Sequence, residues 1–297
     1  MKMSIFDNGP VVIGGLGGSG TRVVAEIIDL FGFFIGRDLN NASDNLTYTL
    51  LLKRPAWFRR NINNSKKLHI GLSILEKSMI REERLTFREK LFLRKAVRDM
   101  SKYGHNKEGE GKDEWPLERL HFIQAPKFPE GSQYRGWGWK EPNSHLLLPV
   151  LHSYFPQFRY IHTVRHGLDM AYSSNQQQLF NWAPLFGMDI PDSQSDIPTA
   201  SFRYWVEANR KAISTGNQLG ERKFLMVNFD ELCHESMTGV KKIADFLQIS
   251  LPVKVLAEAA SLPVMPESAG RYKENMEDRF DPGDLSFLQD LGFSYER

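Results

Sequence analysis

The stretch VVIGGLGGSGTR, Val11 to Arg22, runs from an apolar strand through a glycine turn into a helix. Such a turn leaves main-chain N–H groups unpaired at a helix N-terminus, whose partial positive charge attracts an anion. Two parsings compete. Gly15-Leu16-Gly17-Gly18-Ser19-Gly20 satisfies the dinucleotide fingerprint G-x-G-x-x-G, with Asp38 standing 18 residues past the last glycine as a ribose-binding acid. Gly15 to Gly20 is equally the frame of a P-loop, but Thr21 and Arg22 occupy the places where ATP chemistry needs Lys and Ser or Thr. Both parsings favour a phosphate site and leave its owner open.

Composition narrows the classes. With 297 residues, 41% of them hydrophobic, the chain can bury a large core, and one domain over 1–297 with an insertion is expected. No apolar run reaches bilayer length, and MKMSIFDNGP leads into a strand without the layout of a signal peptide, so a cytoplasmic protein without a membrane span is expected. Cys233 is the only cysteine, which excludes an internal disulfide and a thiolate metal cluster within one chain; it reads as core filling. The net charge of +2 argues against bulk nucleic-acid binding. The charge is uneven: Lys53 to Arg119 holds 18 Lys/Arg against 10 Asp/Glu. Apolar residues at helical spacing there (Leu72, Leu75, Met79; Leu85, Leu91, Leu93, Val97) predict a helical insertion over about 45–134. Its basic outer face is either a solvated surface or an electropositive wall near an anion.

Along the chain, strands are expected at 11–14, 33–36, 137–140, 159–164 and 224–229. Helices are expected at 21–31, 143–154, 168–178, 199–219 and 235–247. This alternation predicts an α/β fold: a mostly parallel central sheet flanked by helices, P-loop-like, with ligands at the carboxyl ends of the strands. After the first strand comes the glycine loop; after the third, fourth and fifth come Lys140-Glu141-Pro142, Arg165-His166-Gly167 and Asp230-Glu231-Leu232. Two cationic strand ends beside one anion cradle suit a nucleotide with several separate anionic groups.

The stretch YIHTVRHGLDMAYSSN, Tyr160 to Asn175, supplies a second receptor. Arg165 leaves a strand, and Ser173 lies eight residues on, in the first turns of the expected helix. A guanidinium forks onto two phosphate oxygens while a hydroxyl takes a third. Here the chain resembles the PAPS-dependent sulfotransferases, whose 3′-phosphate motif R-x-x-x-D-x-x-x-S is matched by Arg165, Asp169 and Ser173. Their 5′-phosphosulfate loop is matched by Ser19-Gly20-Thr21, with Arg22 replacing a second Thr. WKEPNSHLLLPVL (Trp139 to Leu151) and MVNFDELCHESMTGVKKIADFLQI (Met226 to Ile249) are similar to two further family segments. The resemblance implies PAPS as co-substrate and PAP as product, with no metal, because a sulfuryl group carries less charge than a γ-phosphoryl.

The resemblance also assigns roles. Gly17, Gly18, Ser19, Gly20, Thr21 and Arg22 would bind one end of the donor, and Arg165 with Ser173 the other. Gly270, Arg271 and Lys273, in PESAGRYKEN, match a late loop that closes on the 3′-phosphate. Relatives carry Lys or Arg where this chain has Gly18, so the cation over the leaving oxygen must come from elsewhere, with Lys140 and Arg22 as candidates. The base is sought in Asp38 and Asp44, with Glu141 and His166 as rivals; Asp44 is equally read as stabilising the first turn of a helix. Trp205 is either an adenine platform or core. The acceptor, a small molecule, glycan or peptide, is not legible. A P-loop small-molecule kinase, an NAD(P) oxidoreductase and a non-catalytic nucleotide-binding protein are the alternatives.

Overall fold

The computed structural model describes residues 9–80, 83–106, 109–124, 133–275 and 280–295. Its strands are β1 (Val11–Gly15), β2 (Phe33–Phe34), β3 (Gly136–Lys140), β4 (Arg159–Val164) and β5 (Phe224–Asn228). Among the described residues they form one parallel sheet in the order β2-β3-β1-β4-β5. Strand β1 is wholly buried, as a β-branched run covered on both faces must be.

Side-chain alternation along the strands divides the interior. Val11 and Ile13, with Ile161 and Val227, face a cluster built by α1 (Thr21–Leu30), which carries Val24, Ile27 and Ile28. Val12, Trp137, Trp139 and Tyr160 face the other, larger cluster. That cluster includes α2 (Leu46–Leu52), α3 (Pro55–Asn61), α4 (Ser65–Met79), α5 (Phe87–Tyr103) and α6 (Trp115–Gln124), which form the helical crossover between β2 and β3. It also includes α7 (Leu148–Tyr154), α8 (Gly167–Ala171), α9 (Gln177–Trp182) and the long α10 (Ile197–Leu219), whose Phe202 and Trp205 are fully buried. After β5 come α11 (Phe229–His234), α12 (Ser236–Leu247), α13 (Val253–Ala260) and α14 (Pro282–Asp290). Helices α12 and α13 return to the α1 face, and α14 packs beside α10.

Three local expectations are corrected. The helix expected at 143–154 is a 3-10 turn, Pro142–Leu147, followed by α7. The helix expected at 168–178 is two, α8 and α9, so Ser173 lies in the connection between them rather than in a helix. Gln176 closes the break: its amide Nε2 lies within hydrogen-bonding distance of the carbonyls of Met170 (3.2 Å), Ala171 (3.0 Å) and Ser173 (2.6 Å), sharing its two hydrogens among groups that a continuous helix would have used. The expected helix 235–247 begins at Ser236, preceded by the separate turn α11. No helix among the described residues is long and apolar enough to cross a membrane.

Candidate functional site

Chain order departs from β1 to β2 and β3 on one side of the sheet and to β4 and β5 on the other, which makes the carboxyl end of β1 the switch point where ligands bind. A cavity of about 440 Å³ opens there. Its lining includes Gly17, Gly18, Gly20, Thr21 and Arg22 from the glycine loop, Lys140 from the end of β3, and Arg165 and Ser173 from beyond β4.

The loop has the geometry of an anion cradle. Gly18 and Gly20 take left-handed φ angles of 86° and 84°, which a residue with a Cβ adopts only at a cost. No side chain caps α1 and no acidic residue occupies its first turn, so the helix presents its positive end to the cavity. Ser19 is the exception within the loop. It is buried, its Oγ donates to the Leu16 carbonyl (2.6 Å), and it braces the turn from inside. Arg22 is exposed, 3.8 Å from Glu26.

Arg165 ties three segments together. Its guanidinium lies 3.4 Å from the Gly18 carbonyl, donates to Ser268 Oγ (3.1 Å), and stands 3.6 Å from Asp169 Oδ2. The same Asp169 oxygen accepts from the Gly270 amide (3.0 Å), so the acid of the R-x-x-x-D-x-x-x-S motif docks the late loop beside the arginine. Of that loop, Pro266 lines the cavity. Gly270, Arg271 and Lys273 are not among its lining residues; Arg271 Nε donates to the Ser268 carbonyl (3.1 Å). Its charge reaches Arg165, whose pKa is lowered by burial first, against the pull of Asp169 and Asp230.

On the opposite wall, Lys140 donates to the carboxylate of Asp44 and to the Ala42 carbonyl (2.8 Å). Asp44 lines the cavity and does not cap the helix that follows it. Asn45 does that, accepting from the Tyr48 amide (2.8 Å), so the helix-stabilising reading of Asp44 is corrected. Asp38 is not brought to the cavity. It is buried against Arg119 (3.0 Å) and Thr47 Oγ1 (2.9 Å), and burial lifts its pKa to about 6 in spite of the arginine. The rival bases are also occupied elsewhere. Glu141 is fully buried, where it accepts from the Asn143 amide (2.8 Å) and meets Lys53 at 3.1 Å; His166 stacks on Tyr272 with ring centroids 4.6 Å apart. Trp205 stacks on Phe202 inside the core, away from the cavity lining.

Sequence reasoning missed Lys53, which lines the cavity from the end of α2. Burial would depress its ammonium, but Glu141 and Asp44 outweigh that and hold it above the ordinary lysine value. It also missed a row of amides on the same cavity, Asn143, Asn175, Gln177, Gln178 and Asn181, beside Trp182. A Lys before Arg-Pro and amides on short helices carry no periodic or motif signal; only the crossover and the break after α8 bring them to the site. Among the described residues no group of three or more His, Cys, Asp or Glu is placed to hold a metal ion.

Residues 10–252 match the model of the Sulfotransferase family. The structure is similar to a sulfotransferase domain from the curacin biosynthetic pathway, with a TM-score of 0.52, 13% identity, and coverage of 97% of this chain and 99% of that one. It is also similar to a sulfotransferase domain from a Synechococcus olefin synthase, with a TM-score of 0.49, 13% identity, and coverage of 97% of each chain. No curated protein matches the sequence.

Proposed function

This chain belongs to the sulfotransferase family, and from that premise we propose that it moves a sulfuryl group from PAPS to an acceptor hydroxyl by in-line transfer. The observation that carries the reading is the convergence, on one cavity, of Gly17, Gly18, Gly20 and Thr21 from the glycine loop, a guanidinium with a hydroxyl at Arg165 and Ser173, and the Lys140–Asp44 pair. Two separate oxyanion receptors match a nucleotide phosphorylated at both ends. An NAD(P) enzyme gains nothing from Arg165 and Ser173, and its ribose acid, Asp38, is committed to Arg119. A kinase reading lacks the P-loop lysine.

PAPS, when bound, supplies the sulfuryl group and a bisphosphate leaving group. The protein's part is positional and electrostatic. The loop amides and the α1 N-terminus hold the 5′ end; Arg165 and Ser173 hold the 3′ end, with Ser268 and the docked Gly270 fixing the guanidinium and its Asp169 partner from behind. Lys140 replaces the cation absent at Gly18, and Asp44 takes the proton of the acceptor hydroxyl. The two roles are linked, because protonation of Asp44 removes the anion that holds Lys140 and frees the ammonium to stabilise the leaving oxygen. The crossover helices contribute to the acceptor side through Lys53, and the amide row offers paired donors and acceptors suited to a hydroxylated small molecule or glycan.

Thermal shift with PAP, Mg·ATP and NAD⁺ tests the nucleotide: ligand at 100 times its Kd stabilises by about 2.7 kcal/mol, and only PAP is expected to do so. Transfer of label from PAPS to a panel of hydroxylated acceptors tests the reaction. Stabilisation by Mg·ATP or NAD⁺ in place of PAP would refute the reading.

A further inference from the structure

Helix α5 turns an unpartnered face outward. Its two acids are spent inward: Glu89 is buried against Ser73 Oγ (2.6 Å) and Lys77 Nζ (3.1 Å), and Asp99 pairs with Arg54 (2.9 Å). Every other charged side chain on the helix is a cation and exposed: Arg88, Lys90, Arg94, Lys95, Arg98 and Lys102. None of these six meets a carboxylate at ion-pair distance among the described residues. At 3.6 residues per turn they occupy one arc of roughly 160°. Near the middle of that arc stand Phe87, 79% exposed, and Leu91, 44% exposed, one turn apart. The opposite face, Leu93, Ala96 and Met100, is anchored in the core, so the helix is held rigidly with its basic side outward.

We propose that this face of α5 docks the protein on an anionic lipid bilayer surface, with Phe87 and Leu91 entering the headgroup boundary and the six cations meeting lipid phosphates and carboxylates. The charges alone would suit any polyanion. The apolar pair at the centre of the basic arc decides for a membrane, because a sulfated glycan or nucleic acid offers no apolar phase for an exposed phenylalanine, whereas a bilayer interface rewards apolar and cationic residues on one helix face together. The helix leads through Gly104 and His105 to Asn106, which with Ser173 and Asn175 lines an open groove adjoining the cavity. Docking through α5 therefore brings the groove side of the molecule toward the surface.

Flotation of the full-length protein with vesicles of phosphatidylcholine alone, or with 30% phosphatidylserine, tests this. Binding is expected only with phosphatidylserine and is expected to be lost in 0.5 M NaCl. Arg94→Glu with Lys95→Glu and Arg98→Glu is expected to weaken binding about a hundredfold or more, at about fivefold for each cation removed. Phe87→Ser with Leu91→Ser is expected to weaken it about fivefold or more while leaving thermal stability and PAP binding unchanged, since both side chains are exposed. Equal binding to both vesicle types would overturn the proposal. So would a Phe87→Ser, Leu91→Ser protein that floats like the wild type, because α5 would then be a polyanion site, which heparin or duplex DNA would occupy with the same affinity in both proteins.

Discussion

Lys140, the last residue of β3, is joined through its ammonium to the carboxylate of Asp44 in the turn before α2, and both line the cavity at the carboxyl end of β1. A cation and a candidate base thus neutralise each other at the point where charge would develop. Lys140→Met is expected to lower kcat by about 10²- to 10³-fold, the scale of one lost electrostatic donor, with PAP affinity changed far less. Asp44→Asn is expected to lower kcat by about 10²- to 10⁴-fold. Because each frees the other, the double variant should fall well short of the product of the two single losses. Steady-state kinetics beside PAP titration checks all three; equal effects on kcat and on PAP affinity would make Lys140 a binding residue.

Arg165 reaches both the glycine loop and Ser268, so its loss should act on donor binding first. Arg165→Ala is expected to weaken PAP by tens- to thousands-fold, about 2 to 4 kcal/mol for a buried charge-assisted contact. Asp169→Asn should weaken PAP by a smaller factor, since it loosens the late loop at Gly270 and leaves the guanidinium in place. Calorimetric titration with PAP measures both.

Much of this site was legible because its physics is local. A buried β-branched run, a glycine turn and a cation at a strand end announce themselves in order, and the parallel sheet that places Lys140 and Arg165 on either side of β1 follows from that order. What was not legible depends on distant partners. Asp38 reads like a ribose or base acid until Arg119, in the crossover helices, claims it. Asp44 reads like a helix-stabilising acid until Asn45 takes the cap. Ser173 reads as helical because nothing in the spacing shows that the side chain of Gln176 will fold back onto the carbonyls of Met170, Ala171 and Ser173.

The glycine loop separates steric from conformational cost. A Cβ on Gly20 would stand 2.1 Å from the Phe229 ring, whereas one on Gly18 meets nothing within 4 Å, and both carry left-handed φ angles. Gly18→Ala is expected to cost about 1 to 2 kcal/mol. Gly20→Ala carries the same backbone strain plus an overpacking penalty of about 1 to 3 kcal/mol, and because the shift falls on the cradle it should also abolish PAP binding. Urea unfolding ranks the two, and equal losses would show that the Phe229 contact relaxes freely. With open space around it, Gly18 resists a side chain only through its backbone conformation.

The sheet itself carries an acid sensitivity. His162, on β4, is fully buried and hydrogen-bonded to Asn209 Oδ1 (2.9 Å); His145, below the loop, contacts the Pro142 carbonyl (2.9 Å). Asn209 spends its amide nitrogen on the Trp205 carbonyl, so its oxygen accepts and His162 Nε2 is the protonated nitrogen of a neutral ring. Burial holds His162 at a pKa of about 3 and His145 at about 4, against 6.5 when exposed. Between pH 6.5 and these values the unfolded chain binds protons that the folded chain refuses, so stability is full above pH 6.5 and falls as the pH drops toward 3. His105, held at about 4 by burial, adds to them, while Asp38, raised to about 6, and Asp29, Glu141, Asp230 and Asp284, also raised by burial, work in the opposite direction. His162→Gln, whose amide can still donate to Asn209, should flatten the dependence without lowering stability comparably at pH 7. A variant as acid-sensitive as the wild type in urea titrations at pH 4.5 and 7 would assign the effect to other groups.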